Sequence, residues 1–143
     1  MIRVNNYRIL LVGAIALLSG LALGCEAPGV GDPCTPEIIP AGGFNNAEAY
    51  LETSSVQCRT RVCLVYKLAG YPDGACPIGE PCASQEETDR RIFCSCRCRA
   101  PAGSDSPTCE CGEGYSCEEV LDVGDEGARG SYCIKNEIVE EAS

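Results

Sequence analysis

The chain has no histidine and no tryptophan, its one methionine is Met1, and Phe44 and Phe93 are its two phenylalanines. Without an imidazole there is no Ser-His-Asp or Cys-His arrangement and no side chain that titrates near neutrality unaided. Adjacent carboxylates such as Glu86–Glu87 and Glu118–Glu119 do not make an acid/base pair by being neighbours, so no enzyme is expected. With so few large side chains, apolar burial alone would leave a domain of this size marginally stable. Positive charge is also scarce: 11 Lys+Arg stand against 21 Asp+Glu, a formal net charge of −10. A field of that sign disfavours nucleic acid and anionic lipid headgroups as partners; it is compatible with cationic partners or divalent cations and reads first as a solvated acidic surface. Long apolar runs are missing too. The uncharged stretch Ile9–Gly24 has 16 residues, which as a helix would span about 24 Å, short of a hydrocarbon core of about 30 Å.

That stretch follows Arg3 and Arg8 and ends in Leu21-Ala22-Leu23-Gly24-Cys25. A basic start, an apolar middle and small residues at the end are the three parts of a secretory signal. With a cysteine at its end, the run resembles the lipobox of bacterial lipoproteins. Leu is the commonest residue three before the Cys in that family; here the position is Ala22, while Leu23 and Gly24 fit the pattern. The resemblance implies that residues 1–24 form a signal helix that is removed, and that Cys25 becomes the N-terminus and carries lipid. It also implies that the protein is held to a membrane of the bacterial cell envelope, facing periplasm or cell surface. A plain cleaved signal and a retained anchor helix are the other readings of this segment.

Cysteine is what the chain has in excess, 13 in all. An odd count in a secreted protein leaves one sulfur to explain. If Cys25 carries lipid, twelve remain: Cys34, Cys58, Cys63, Cys76, Cys82, Cys94, Cys96, Cys98, Cys109, Cys111, Cys117 and Cys133. Twelve can pair into six disulfides, and that density marks a disulfide scaffold in an oxidising compartment. Each bridge typically contributes about 2–4 kcal/mol by restricting the unfolded chain, which offsets the thin core. Removing Arg3 and Arg8 with the signal leaves 9 Lys+Arg against 21 Asp+Glu, a charge of −12.

The expected fold class is a small disulfide-rich domain, mainly β with irregular loops and one short helix. Residues 25–33 read as a lipidated tether, because Glu26–Pro33 is rich in Gly and Pro; fully extended, those eight residues reach about 27 Å. The cysteine-rich domain is expected over 34–135, and 136–143 as a charged, frayed acidic tail. A strand is expected at 48–54. Residues 54–68 are ambiguous, because Ser54 with Gln57 can cap a short helix; a loop at Cys58 followed by a strand at 61–67 is the preferred reading. Ser84-Gln85-Glu86-Glu87 is a capping box that starts a helix running to Arg91. Ile92–Arg99 alternates, with Cys94, Cys96 and Cys98 on one face and Phe93, Ser95, Arg97 and Arg99 on the other. Runs at 114–121 and 130–135 read as a hairpin around the Gly-rich loop 122–129. Centring that loop at Asp125 sets Cys117 opposite Cys133. Antiparallel spacing permits a bridge there without requiring it; either cysteine can instead pair with Cys109 or Cys111.

Cys94-Ser95-Cys96-Arg97-Cys98 with Cys109-Glu110-Cys111 is the densest chemical feature. A metal-thiolate site would need free thiolates, which an oxidising compartment converts to disulfides, and no His is present as co-ligand; neither metal nor cofactor is expected. Thiol redox catalysis usually uses C-x-x-C at a helix N-terminus, whereas here a helix C-terminus faces the cysteines. The structural reading has each of Cys94, Cys96 and Cys98 tie one strand to a different neighbour. Arg90, Arg91, Arg97 and Arg99 would form a basic island on an acidic chain, a candidate binding spot. Cys109-x-Cys111-x-x-Gly114-Tyr115 resembles the end of EGF-like modules. Cys117 follows after one residue where that pattern needs at least four, so a turn shape is what is shared. The run 122–127 has Asp122, Asp125 and Glu126 but Gly124 at the third place of an EF-hand loop and Cys133 at the twelfth, and reads as an acidic turn.

As a whole the chain resembles the uncharacterised cysteine-rich lipoproteins of Gram-negative bacteria, a likeness that brings no known activity. The expected function is a membrane-anchored, non-enzymatic module for binding or envelope structure, with the membrane and an envelope protein as partners. A disulfide-framed inhibitor or toxin-like domain presenting loop 100–108 or 122–129 is the second reading, and a metal-thiolate protein the third.

Overall fold

The structure is a computed structural model and describes residues 27–141; the signal segment 1–24 and Cys25 lie outside them. Two three-stranded antiparallel sheets make up the fold. The first has strands β1 (Ala49–Glu52), β2 (Val62–Tyr66) and β3 (Ile92–Ser95) in the order β1-β2-β3. The second has β4 (Arg97–Arg99), β5 (Tyr115–Leu121) and β6 (Gly130–Lys135) in the order β4-β6-β5. Helix α1 (Gln85–Arg91) leads into β3, and helix α2 (Asn136–Glu140) follows β6. The mainly β, disulfide-rich class expected from the sequence is the one observed.

β2 is the centre of the first sheet and is buried on both faces. Val62, Leu64 and Tyr66 point one way and join Phe93 with Tyr132, Ile134 and Ile138 in a cluster that welds the sheets together. Cys63 and Val65 point the other way, into a cluster with Phe44, Cys58, Leu68, Ile92 and Cys94. The period of two along a strand is thus used on both sides, as a strand without a solvated face requires. α1 starts as its capping box dictates, with the Ser84 hydroxyl accepting from the Glu87 N–H at 3.1 Å.

The alternating run from Ile92 does not continue as one strand. The chain leaves the first sheet after Ser95 and enters the second at Arg97. Ser95 is the fastener between them: its hydroxyl donates to the Cys133 carbonyl at 2.8 Å while fully buried.

Two boundaries differ from those expected. Residues 28–33 are not a tether but part of the fold. Gly31 N–H donates to the Cys94 carbonyl at 2.7 Å, Cys94 N–H to the Asp32 carbonyl at 2.8 Å, and Arg59 N–H to the Pro28 carbonyl at 2.9 Å. Pro33 also bridges Phe93. The segment covers the otherwise open edge of β3, whose unpaired backbone groups would need partners; a proline is tolerated there because an edge position leaves its missing N–H unneeded. Gly31 is required by crowding, since a Cβ at its φ of +93° would stand 1.8 Å from the Tyr115 hydroxyl. At the other end, Asn136–Glu140 is helical, and Ile138 is fully buried in the inter-sheet cluster. One large apolar side chain in an acidic stretch is enough to dock it, so the frayed tail expected at 136–143 does not hold over these residues.

Candidate binding groove

Six disulfides join Cys34–Cys63, Cys58–Cys94, Cys76–Cys82, Cys96–Cys109, Cys98–Cys117 and Cys111–Cys133. Cys94, Cys96 and Cys98 thus reach three different segments. The 115–135 hairpin has the expected register, with Cys117 opposite Cys133, yet these two do not bond each other. Cys98 sits where the β4 pairing shifts register and takes Cys117; Cys111, one of the partners left open, takes Cys133. Three sulfur triads lie close together, Cys34/Cys58/Cys94, Cys96/Cys109/Cys133 and Cys98/Cys111/Cys133. Every member is disulfide-bonded, and a disulfide sulfur is not the thiolate that a metal takes.

The four arginines do not gather into one island. Arg90 and Arg91 are clamped by carboxylates: Arg90 binds Glu87 at 2.6 Å and also Glu141, and Arg91 binds Glu87 at 2.6 Å and Glu141 at 2.8 Å. Glu87 and Glu141 thereby tie α1 to the end of α2. Desolvation pushes the Glu87 carboxyl up, but hydrogen bonds from Arg91 and Arg90 outweigh it and hold it below the usual range. The Glu141 hydrogen bond, helped by Glu87, holds the Arg90 guanidinium above its ordinary value. The length of β3, at about 3.4 Å per residue, separates this clamp from Arg97. Arg99 is exposed at the end of β4.

Arg97 instead helps to line a groove of about 410 Å³ where the two sheets meet. Thr60 and Arg61 lead in from the start of β2, Cys96 and Arg97 from the crossover, Tyr132 from β6, and the 106–109 loop forms the opposite wall. The Arg97 guanidinium lies 5.7 Å from the centre of the Tyr132 ring, a cation–π distance. It donates to the Tyr132 hydroxyl at 3.3 Å and to the Gly127 carbonyl. The Tyr132 hydroxyl in turn donates to the Ala128 carbonyl at 2.6 Å. Arg97 is therefore pre-positioned, with ring and loop fixing its plane. Across the groove, Thr60 Oγ1 donates to the Ser95 carbonyl at 2.5 Å, which pins the loop that presents Arg61.

Arg61 has a φ of 65°, a left-handed conformation that costs an L-residue other than Gly, Asn or Asp about 1–2 kcal/mol. It is over-determined by its neighbours: Arg61 N–H donates to the Cys58 carbonyl at 2.9 Å, and its own carbonyl accepts from Ser55 N–H at 3.0 Å. The result is an exposed Arg61 lining the same groove as the fixed Arg97. Two arginines, a phenol and threonine hydroxyls on partly apolar walls can hold an anionic group that carries an apolar body. The sequence signals for this site were weak. Arg97 was singled out only as one of four arginines in a basic island, and Arg61 lay at the start of an expected strand with nothing to mark it as a binding residue.

Around the acidic loop, Gly127 N–H donates to Asp125 Oδ1 at 2.7 Å, and Arg129 pairs with Glu126 at 3.1 Å. Asp125 is thus used in closing the turn. Comparison with known proteins finds no family model, no curated protein and no solved structure that matches this chain.

Proposed function

We propose that this protein is a lipid-anchored, non-enzymatic binding module of the bacterial cell envelope, attached through Cys25 and presenting the inter-sheet groove to an envelope partner. The observation that carries the proposal is the cysteine count. Six disulfides use twelve of the 13 cysteines, and the thirteenth is the one that closes the lipobox-like run. The groove supplies the binding surface, with Arg61 and Arg97 suited to an anionic group on the partner. Replacing Cys25 tests the anchor. Cys25→Ser should move the protein from the detergent phase to the aqueous phase, or leave it unprocessed; unchanged partition and processing reject the proposal. For the groove, a partner crosslinked in intact envelopes should be lost in an Arg61→Glu, Arg97→Gln double variant that keeps the wild-type disulfide map.

A further inference from the structure

The hydrogen bonds of residues 28–33 have a geometric consequence for a protein held at Cys25. Pro28 is fixed to the fold by the 2.9 Å bond from Arg59, and Gly29 by the 2.7 Å bond from its N–H to Asp32 Oδ2. Three residue steps separate Pro28 from Cys25. Fully extended they span about 10 Å, which is little more than the depth of a headgroup layer (a bilayer is about 40–45 Å thick with its headgroups and about 30 Å without them). The domain therefore has no room to stand off from the membrane, and the end that carries Pro28 must face it.

The chemistry of that end fits the position. The turn 55–61 sits beside Pro28, closed by Ser55 N–H to the Arg61 carbonyl and by Arg61 N–H to the Cys58 carbonyl. It brings Arg59 and Arg61, two of the 11 basic residues of the chain, to the surface nearest the anchor. Val56 at its tip is 71% exposed. The neighbouring segment 35–38 is laced to the turn by Thr35 N–H to Gln57 Oε1 at 3.0 Å and Gln57 Nε2–H to the Thr35 carbonyl at 2.7 Å, and it adds Ile38, 77% exposed. Asp32 and Glu37 are exposed at the same end, so its charge is mixed; Val56 and Ile38 with the Arg61 guanidinium suit the headgroup layer of a zwitterionic phospholipid, where short apolar side chains enter the interface and guanidinium meets phosphate.

We infer that the folded domain rests directly on the headgroup layer through the 55–61 turn and the adjoining 35–38 segment, instead of hanging from a flexible tether. The inference rests on the lipid anchor proposed above. The groove, which begins at Thr60 and Arg61, then opens next to the membrane surface.

Because the chain has no tryptophan, a single introduced indole reports its own position. The lipidated protein carrying Val56→Trp is reconstituted in vesicles of phosphatidylethanolamine and phosphatidylcholine, with a fraction of the lipid brominated near the glycerol. A second protein carries Ile78→Trp, a fully exposed position in the loop closed by Cys76–Cys82, which follows the opposite end of β2. Quenching of at least twofold is expected at position 56 and little at 78. A third protein adds about 20 Gly/Ser residues after Glu26, enough for a mean reach near 25 Å, and should lose most of the quenching at 56. Vesicle flotation is read in parallel. Protein that floats without quenching at 56, quenches equally at 78, or keeps full quenching with the long insert overturns the inference while leaving the anchor intact. Protein that does not float, like the Cys25→Ser form, overturns the anchor and the inference together.

Discussion

The residues before Ser95 and those after it solve the same problem in different ways. In the first region, sulfur is one ingredient of an apolar core. Cys58, Cys63 and Cys94 lie among Phe44, Val65, Leu68 and Ile92, and β2 and β3 are buried along their whole length. In the second, β5 has no buried residue, and sulfur forms much of the interior itself. Cys133, bonded to Cys111, has its Sγ 3.7 Å from that of Cys96 and 3.8 Å from that of Cys109. Where large apolar side chains run out, stacked disulfides take over the packing. Cross-links that restrict the unfolded chain then replace burial as the source of stability.

The sharpest way to break this comparison is at the joint. Phe93 is fully buried and belongs to the one cluster that, among the described residues, has members from both regions. Phe93→Ala should cost about 3–5 kcal/mol, with both regions losing protection in a single transition by denaturant titration and hydrogen exchange. A loss under about 1 kcal/mol, or two separate transitions, would show that the regions are independent. Next in size is removal of one disulfide from each region by paired Ala substitution. Typical costs are about 2–5 kcal/mol. Cys111–Cys133 should fall at the upper end, because no apolar cluster stands behind it, and Cys58–Cys94 at the lower. The reverse order in urea midpoints would refute the assignment of sulfur as the interior of the second region.

A single substitution sharpens the contrast. Cys109→Ala frees the Cys96 thiol beside the Cys133 sulfur. As thiolate it attacks that sulfur, forming a Cys96–Cys133 bond and releasing Cys111 as thiolate, an exchange that consumes no oxidant. Peptide mapping should find Cys96–Cys133 with Cys111 alkylated; a free Cys96 with Cys111–Cys133 intact would count against it. The smallest effect is expected at the clamp between α1 and α2. Glu141→Gln should cost no more than about 1 kcal/mol, because its pairs are half-exposed. Since the Glu87 carboxyl is held below its ordinary value of 4.5, its contribution is complete above that pH and is lost as pH falls through the lowered value. Stability of the wild type should therefore decline on acidification more steeply than that of Glu87→Gln; parallel acid profiles would remove the clamp from the account.

Local signals were legible in the sequence where one segment decides its own structure. The Ser84 cap, the ends of β5 and β6 and the Cys117–Cys133 register all follow from turn and cap chemistry within a few residues. What was not legible depended on distant partners. Glu26–Pro33 has the composition of a linker, and nothing local says that its backbone will complete the edge of β3. Asn136–Ser143 has the charge of a frayed end, and only the inter-sheet cluster gives Ile138 a place. The break after Ser95 is hidden in an unbroken alternation because each half of the run obeys the same period in a different sheet. Of the groove's arginines, Arg97 alone was singled out in the sequence, since Arg61 lies 36 residues earlier and no spacing rule assigns the two to one groove.

The way the bridges divide bears on how the chain acquires them. Among the described residues no disulfide joins a cysteine before Ser95 to one after it. Twelve cysteines drawn at random allow roughly ten thousand pairings, but a set of six allows about 15. A chain that appears N-terminal end first can close Cys34–Cys63, Cys58–Cys94 and Cys76–Cys82 before the later six are present to compete. Oxidation in two instalments turns one intractable matching problem into two small ones, and the boundary between them is the point where the backbone changes sheet.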